Sequence, residues 1–408
     1  MKGLAGHIKD NLEVRAGQTC AALELFRAEC SGSRVCHQGG MDNDDLYRPE
    51  WVPPHCPSRK CRFHNPLQHG WRWKHFGVYY RKAPPHRIRR FQCLHCNVTF
   101  SCQTFSVTYW LKRPDIITQL LTKATSGACN SQIALDLDVW PSTIDRQIYR
   151  LGRHCLLFHS RMMQNRPKLS DIAIDGFHSF EQSQYHPFHF HVAADRMTAF
   201  FPHFTDSEVS RSGTMTDKQK KQRALYHKIR GKPDPQAVRK DMQELLQYLT
   251  DQTSEMTIHS DDHKAYPKAI ENLQCQVIHV VTSSKEIRSR FNKLFEINLL
   301  DLLIRHCEAE HKRETISYSK RRNCAAYKLA IFLVQRNYIK TKRVRHSRQT
   351  PAQLLGVCPQ RLTVPELIAR RLFIAQIGLK GRWRQYYWME VDTRALKINR
   401  RHQLKYAA

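Results

Sequence analysis

The sequence predicts an α/β protein whose main body is a mixed five-stranded sheet with helices, preceded by a small cysteine-bearing β module and a helical module. Three observations predict it: two close cysteine pairs before residue 100, a helical apolar period from Arg113 to about His154, and alternating strand and helix patterns from Ile172 onward.

Composition sets the frame. The chain has 408 residues, 41% of them hydrophobic, which suits two or three domains with a sizeable core and excludes a disordered or fibrous chain. Lys and Arg number 66 against 36 Asp and Glu, a formal charge of +30 spread along the whole chain. A field of that size collects polyanions, so nucleic acid is the expected partner, although charge alone names no activity. No run approaches 18 apolar residues and the N-terminus lacks the order of a secretory signal, so an intracellular, cytoplasmic protein with no membrane partner is expected. Of the 14 cysteines, four are better explained by metal than by a disulfide framework.

Those four are Cys56 and Cys61, spaced C-x4-C, and Cys93 and Cys96, spaced C-x2-C. Each pair suits a tight knuckle aiming two thiolates at one tetrahedral ion, which is the pattern of a zinc ribbon with one structural Zn²⁺. The stretch between the pairs can form a hairpin and carries Trp71, Trp73, Lys74, Tyr79, Tyr80, Arg81, Arg87, Arg89 and Arg90. So small a module has little core, and zinc would supply part of its folding energy. His55, His64, His69, His95 and Cys102 remain substitutes. Cys20, Cys30 and Cys36 form no clear pattern in an N-terminal extension, residues 1–50.

From Arg113 the period becomes helical: Ile116, Ile117, Leu120, Leu121 and Ala124 share one face, and Ser126 and Gly127 break it. The stretch from Asn130 then reads as a helix-turn-helix. Ser131 caps a short helix, Asp138 and Val139 turn, and Pro141 and Ser142 open a second helix burying Ile144, Ile148 and Leu151. Its other face offers Ser142, Thr143, Asp145, Arg146, Gln147 and Arg150 to phosphates and base edges, although an ordinary helical hairpin fits the pattern nearly as well.

After a basic linker near Arg161 to Lys168 the pattern alternates. Ile172 to Asp175 reads as a strand ending in an acid; His189 to Ala194 and Met197 to Phe204 read as two more, joined by a turn at Asp195 and Arg196. A basic insert runs from Thr205 to about Pro235. A helix at Val238 to Leu249, a strand at Met256 to Ser260, a helix at Ala265 to Leu273, a strand at Val277 to Val281 and a long helix from near Asn298 follow. Three strands, helix, strand, helix, strand, helix is the ribonuclease-H-like order. It places Asp175 at the end of the first strand, Asp261 at the end of the fourth and Asp301 at the opening of the last helix. Three such carboxylates converging at one sheet edge suit two Mg²⁺ (or Mn²⁺) ions acting on a phosphodiester.

IAIDGF around Asp175, IHSDDHKAY around Asp261, NLLD from Asn298 to Asp301 and KRETISYSKRRN from Lys312 carry a resemblance to a family. Residues 171–340 look like the DDE transposases of bacterial insertion sequences, especially those with a zinc ribbon before the helix-turn-helix, and the likeness covers about residues 50–355. It implies a ribonuclease-H-like catalytic core that cuts and joins DNA, a pair of Mg²⁺ ions, double-stranded element ends and target as partners, and a homo-oligomer on DNA. It also implies a bacterial protein that is nucleoid-associated when bound. Asp175 and Asp261 match the first two acids, with Asp262 the neighbouring alternative. In a strand only one of the two reaches a given face.

The third position departs from the common N-x-x-E of the family, because Asp301 is shorter by one methylene. Glu308, two turns further along the helix, is the alternative acid, and Glu296 and Glu310 are weaker ones. The departure leaves a second reading open, an inactive transposase-derived DNA-binding protein. Arg305, Lys312, Arg313, Lys320, Arg321 and Arg322 are expected to hold the DNA backbone by charge. His186, His189 and His191 cluster without being assigned as ligands. Past Ile339 the chain is strongly basic, and Trp383, Tyr386, Tyr387 and Trp388 suit the seal of a small subdomain or subunit contact better than base stacking. The expected domains are 51–108, a zinc ribbon; 109–165, helix-turn-helix; 166–340, catalytic; and 341–408, a basic C-terminal region.

Overall fold

The computed structural model describes residues 51–313, 315–342 and 348–402; the N-terminal extension with its three cysteines lies outside them, as do Arg343, Arg345 and His346. Strands β1 (Trp73–Tyr80), β2 (Arg87–Cys93) and β3 (Thr99–Ser101) form an antiparallel sheet in that order. Ile88 and Phe91 of β2 are fully buried with Trp51, Phe100 and Phe105. This core reaches the C-terminal region through Phe373. Arg371 strengthens the join, donating from its backbone N–H to Phe105 O (2.9 Å) and from Nη1 to Thr104 O (3.1 Å).

Helices α1 (Ile117–Ala124), α2 (Asn130–Asp136) and α3 (Pro141–Met163) follow. The short α2 starts one residue before the expected cap: Cys129 is its N-cap, and the Gln132 side chain accepts from the Cys129 N–H at 3.0 Å. Asp138 turns the chain with φ of 48°. Pro141 opens α3, where its missing N–H costs nothing. The helix then runs 23 residues, far beyond Leu151. Nor is Arg161 to Lys168 a linker: α3 continues to Met163, and buried Arg166 donates to Leu249 O (3.0 Å) and Tyr248 O (3.2 Å).

The main body is mixed α/β around a five-stranded sheet of order β6-β5-β4-β7-β8. Strands β4 (Asp171–Phe180), β5 (Pro187–Asp195) and β6 (Phe204–Glu208) are antiparallel neighbours; β7 (Glu255–Ser260) and β8 (Gln276–Val281) extend the sheet in parallel from β4. Two expectations fail here. β4 runs five residues past Asp175, so this acid sits in mid-strand. Met197 to Phe204 is no strand: the Asp195 carboxylate accepts from Thr198 N–H (2.8 Å) and Oγ1 (2.5 Å), Ala199 takes φ of 59°, and β6 begins only at Phe204.

Helices α4 (Asp217–Arg230), which buries no residue, and α5 (Ala237–Thr250) precede β7; α6 (Ala265–Ile270) links β7 to β8; α7 (Phe295–Cys307) and α8 (Arg322–Val334) follow β8. α5 and α6 cover one face of the sheet through Met242, Leu245, Leu246 and Tyr266, which meet Ile172, Ile174 and Ala193. The other face carries Ala173, Phe177, Phe190 and Val192 and packs on Ile297, Leu300 and Ile304 of α7.

One core cluster extends from Ile116 to Val391. The helical module and the sheet are therefore fused in packing. At the α3–α8 contact, a Cβ added to Gly152 would lie 2.3 Å from Tyr327 Cβ. The C-terminal aromatics are inside this core: the Trp383 indole donates to Phe204 O at 2.9 Å, and the Tyr386 hydroxyl bonds the Asp206 carboxylate. They seal the outer strand β6, an edge that would otherwise present unpaired backbone groups. No helix among the described residues is long and apolar enough to cross a membrane.

Candidate functional site

The cysteine knuckles bring four sulfurs together. Sγ atoms of Cys56, Cys61, Cys93 and Cys96 lie within 4.8 Å of one another, three of the residues are buried, and the β1–β2 hairpin joins the pairs. Cys56 Sγ and Cys96 Sγ are 3.6 Å apart. Ligands at about 2.3 Å in a tetrahedron stand about 3.8 Å from each other, so the donor set fits a metal such as zinc. The Trp71 indole N–H donates to Cys93 Sγ at 3.2 Å. Burial pushes the Cys93 thiol up, but the Trp71 bond and the amide N–H groups of Cys96 and His95 outweigh it and bring the pKa down to about 7. The alternative ligands turn elsewhere. Nδ1 of both His55 and His64 meets Cys56 O (3.0 and 2.9 Å), and Cys102, its pKa raised to about 11 chiefly by burial, faces Arg89 O.

The second grouping is acidic. Asp175 on β4 shares a face with Phe177, the face that α7 covers. Asp261 directly follows β7, and Asp301 lies in the second turn of α7 instead of opening it. Asp175 has its pKa raised to about 7: burial is the largest cause, the carboxylates of Asp261 and Asp301 add repulsion, and the Gly176 N–H (2.7 Å) and Arg288 oppose. Asp261 and Asp301 thus both bear on Asp175. Their ligand atoms do not meet as tightly as the sulfurs, because among the described residues only the cysteines form a mutual group within 4.8 Å.

Of the adjacent pair, Asp261 bears on Asp175 and accepts the His263 N–H at 3.1 Å. Asp262 is exposed and faces the Ser284 hydroxyl at 3.3 Å. Asp301 receives Arg305 Nε at 3.0 Å from each oxygen. Glu308 is a correction: α7 stops at Cys307, and Glu308 turns into the core 3.0 Å from His311 Nε2, its pKa raised by burial. Glu310 is buried against Lys328 Nζ at 2.7 Å, and Glu296 lies 3.6 Å from Lys342 Nζ.

Sequence reasoning missed Tyr266 and His178. Tyr266 is buried, and its phenol is pushed up by burial and then by Asp175 and Asp261. On the α6 side of the sheet His178, His189 and His191 stand in file, with ring centroids 4.8 and 4.9 Å apart. His189 lies over Gly176, where any Cβ would strike its ring at 2.1 Å. Burial lowers all three pKa values, and His263 depresses each further. His186, expected in the same cluster, instead stacks edge-on against Tyr226 at 4.2 Å. Tyr266, five residues after Asp261, was the legible signal; the histidine file depends on β4–β5 register, which no local pattern encodes.

The expected DNA contacts divide. Ser142 and Arg146 are exposed on the first turns of α3 and Thr143 is half-buried. Gln147 is buried and donates to Arg113 O at 2.7 Å; Arg150 donates to Val107 O at 3.1 Å, and burial lowers its pKa to about 9. Neither faces outward as expected, because α3 packs that side on the chain before α1. Lys312, Arg313 and Lys320 are exposed, and Arg321 is half-buried at the start of α8. Arg322 is buried among Glu181 (3.0 Å), Glu208 (3.3 Å) and Asp206 (3.5 Å), so it serves the core and not a ligand. On the hairpin, Phe76, Tyr79 and Tyr80 are exposed beside Lys74 and Arg90, and the Arg90 guanidinium lies 5.1 Å from the Phe76 ring centre.

The chain matches no protein-family model and no curated protein.

Proposed function

We propose that this protein is a DDE-type DNA transposase, which binds element ends through its zinc-ribbon and helical modules and cuts and joins strands at Asp175, Asp261 and Asp301. One observation carries the reading. Burial of Asp175 on β4, joined by repulsion from the carboxylates of Asp261 at the end of β7 and Asp301 on α7, raises its pKa to about 7. Clustered hard oxygens under mutual repulsion are what divalent cations relieve. Asp175, Asp261 and Asp301 would hold such ions, which would supply an activated water or 3′-hydroxyl and stabilise the leaving oxygen.

The chain's own residues do the rest. Arg305 orients Asp301, the Gly176 N–H fixes one oxygen of Asp175, and the His263 N–H fixes Asp261. The strand order, three antiparallel strands followed by two parallel ones, supports a ribonuclease-H-like core. Exposed Arg146, Lys312, Lys320 and the aromatic-basic hairpin supply sequence-independent attraction to phosphates and exposed bases. The reading carries a homo-oligomer on DNA with it, since two element ends must be joined.

Purified protein with Mg²⁺ and supercoiled plasmid or oligonucleotides from its own element ends should nick and join them. Asp175→Ala should bind the same DNA and do neither; cleavage retained in that variant refutes the assignment. A second reading, a DNA-binding protein without strand chemistry, is favoured by one contact: Arg305 already occupies both oxygens of Asp301. Undiminished DNA binding with no Mg²⁺-dependent nicking by the wild type would select it.

A further inference from the structure

Three residues beyond Asp175 on β4, about 10 Å along the strand, a cavity of about 720 Å³ opens between the end of β4, the segment at Ser210 to Ser212, and the residues Arg313, Thr315, Ile316 and Tyr318. That volume is in the roughly 300–1,000 Å³ range of pockets that enclose small organic groups. Its lining combines flat apolar surface with cations and hydroxyls: Phe180, Tyr318, Arg211, Arg313, Ser210 and Thr315.

The walls are anchored. Phe180 and Tyr318 meet edge to face at 6.1 Å, and the strand end holds the Tyr318 segment through the Gln182 N–H bond to Ser319 O at 2.9 Å. Arg211 lies over the Tyr185 ring at 5.5 Å and donates Nη1 to Gln184 O at 3.2 Å, leaving its other donors for a ligand. Arg313 is exposed, with no ion pair or hydrogen bond among the described residues. The cavity lies past Asp175 on the same strand, since His178 and Phe180 of its wall belong to the end of β4.

We propose that this cavity takes one unpaired nucleotide of the DNA strand that crosses the acids. Its base lies against Tyr318 and Phe180, and its phosphate meets Arg211 and Arg313. An aromatic wall accepts any base face, while arginines select the phosphate, so the site prefers unpaired strand ends over duplex without reading sequence. The inference rests on the strand-transfer reading above and adds the strand's conformation to it.

The test uses the full chain at fixed ionic strength, because backbone attraction varies steeply with salt. The probes are a fluorescein-labelled blunt duplex and the same duplex with a three-nucleotide overhang containing 2-aminopurine. Wild type should prefer the overhang by about tenfold and change the 2-aminopurine emission. Tyr318→Ala should shrink that preference several-fold while binding the blunt duplex as before, and Arg313→Gln should weaken the overhang probe several-fold more than the blunt one. Equal binding of both probes by wild type, or a preference untouched by both variants, overturns the proposal. So does displacement of the emission change by free dAMP at micromolar concentration without any overhang preference, which would mark a mononucleotide site. If Mg²⁺-dependent nicking persists while the preference is insensitive to both variants, only the cavity assignment falls. If the preference and its sensitivity hold while nicking is absent, the strand-transfer reading falls and the unpaired-nucleotide site stands.

Discussion

Arg305 Nε lies 3.0 Å from both carboxylate oxygens of Asp301, one helical turn away on α7. The pair is about four-fifths buried, so its attraction is screened less than that of a surface pair. The guanidinium therefore competes with any cation that Asp301 would bind. Arg305→Gln should tighten Mn²⁺ binding to the acid cluster by about three- to tenfold, corresponding to about 1 kcal/mol. Titration by electron paramagnetic resonance measures it, and weaker Mn²⁺ binding in the variant would contradict the competition.

Trp71 holds Cys93 Sγ through its indole N–H. Outer partners of this kind orient a ligand and lower its proton affinity, and their loss costs about 10–100-fold in metal affinity. Trp71→Phe should weaken zinc retention by at least about tenfold against a chromophoric chelator. Serine in place of Cys93 should abolish it and expose residues 51–108 to protease, since the module's core is small.

Histidines buried in neutral form make the fold acid-sensitive. His159 is buried 2.8 Å from Pro202 O and 3.0 Å from the Tyr338 hydroxyl, and burial lowers its pKa to about 3; His154 falls to about 4 and His191 to about 3 by the same cause. Each is neutral when folded and titrates at about 6.5 when unfolded, so the unfolded chain gains protons first. Their contribution is complete above pH 6.5 and is lost progressively as pH falls toward 3–4, by up to about 1.4 kcal/mol per unit for each histidine. Tm should drop along that window, and His159→Gln should flatten the slope.

Gly152 lets α3 approach Tyr327 on α8 more closely than any side chain allows. Gly152→Ala forces backbone movement costing about 1–3 kcal/mol. A lowered midpoint for one cooperative transition, monitored by circular dichroism, is expected. A separate early transition confined to the helical module would show that the two units are not fused.

Much of this arrangement was legible in residue order. The cysteine spacings located the knuckles that bring four sulfurs together, and Pro141, Gly127 and the apolar period located the helices, because local geometry alone fixes those features. The errors came where distant partners rewrite local meaning. β6 hid because Thr205, Asp206 and Ser207 are buried polar residues, matched by Asp241, Arg322, Arg382 and Tyr386 from far along the chain. Arg322 read as a DNA contact for the same reason: a lone arginine in a basic stretch gives no sign of three acids waiting in the fold. Gln147 and Arg150 faced outward on a helical wheel, but the wheel does not include the chain before α1 that covers them. Glu308 was two turns from Asp301 only if α7 continued, and it ends at Cys307.

The 23 residues of α3 form a rod of about 35 Å, close to one turn of duplex DNA. Ser142 and Arg146 are exposed on its first turns, while Ile144, Ile148 and the later turns pack into the core shared with the sheet. One unbroken helix thus joins the exposed Arg146 to the core cluster that also packs the α7 face of the sheet. Gripping and cutting in such a body would be two ends of one lever, so stiffening or lengthening that rod should retune both together.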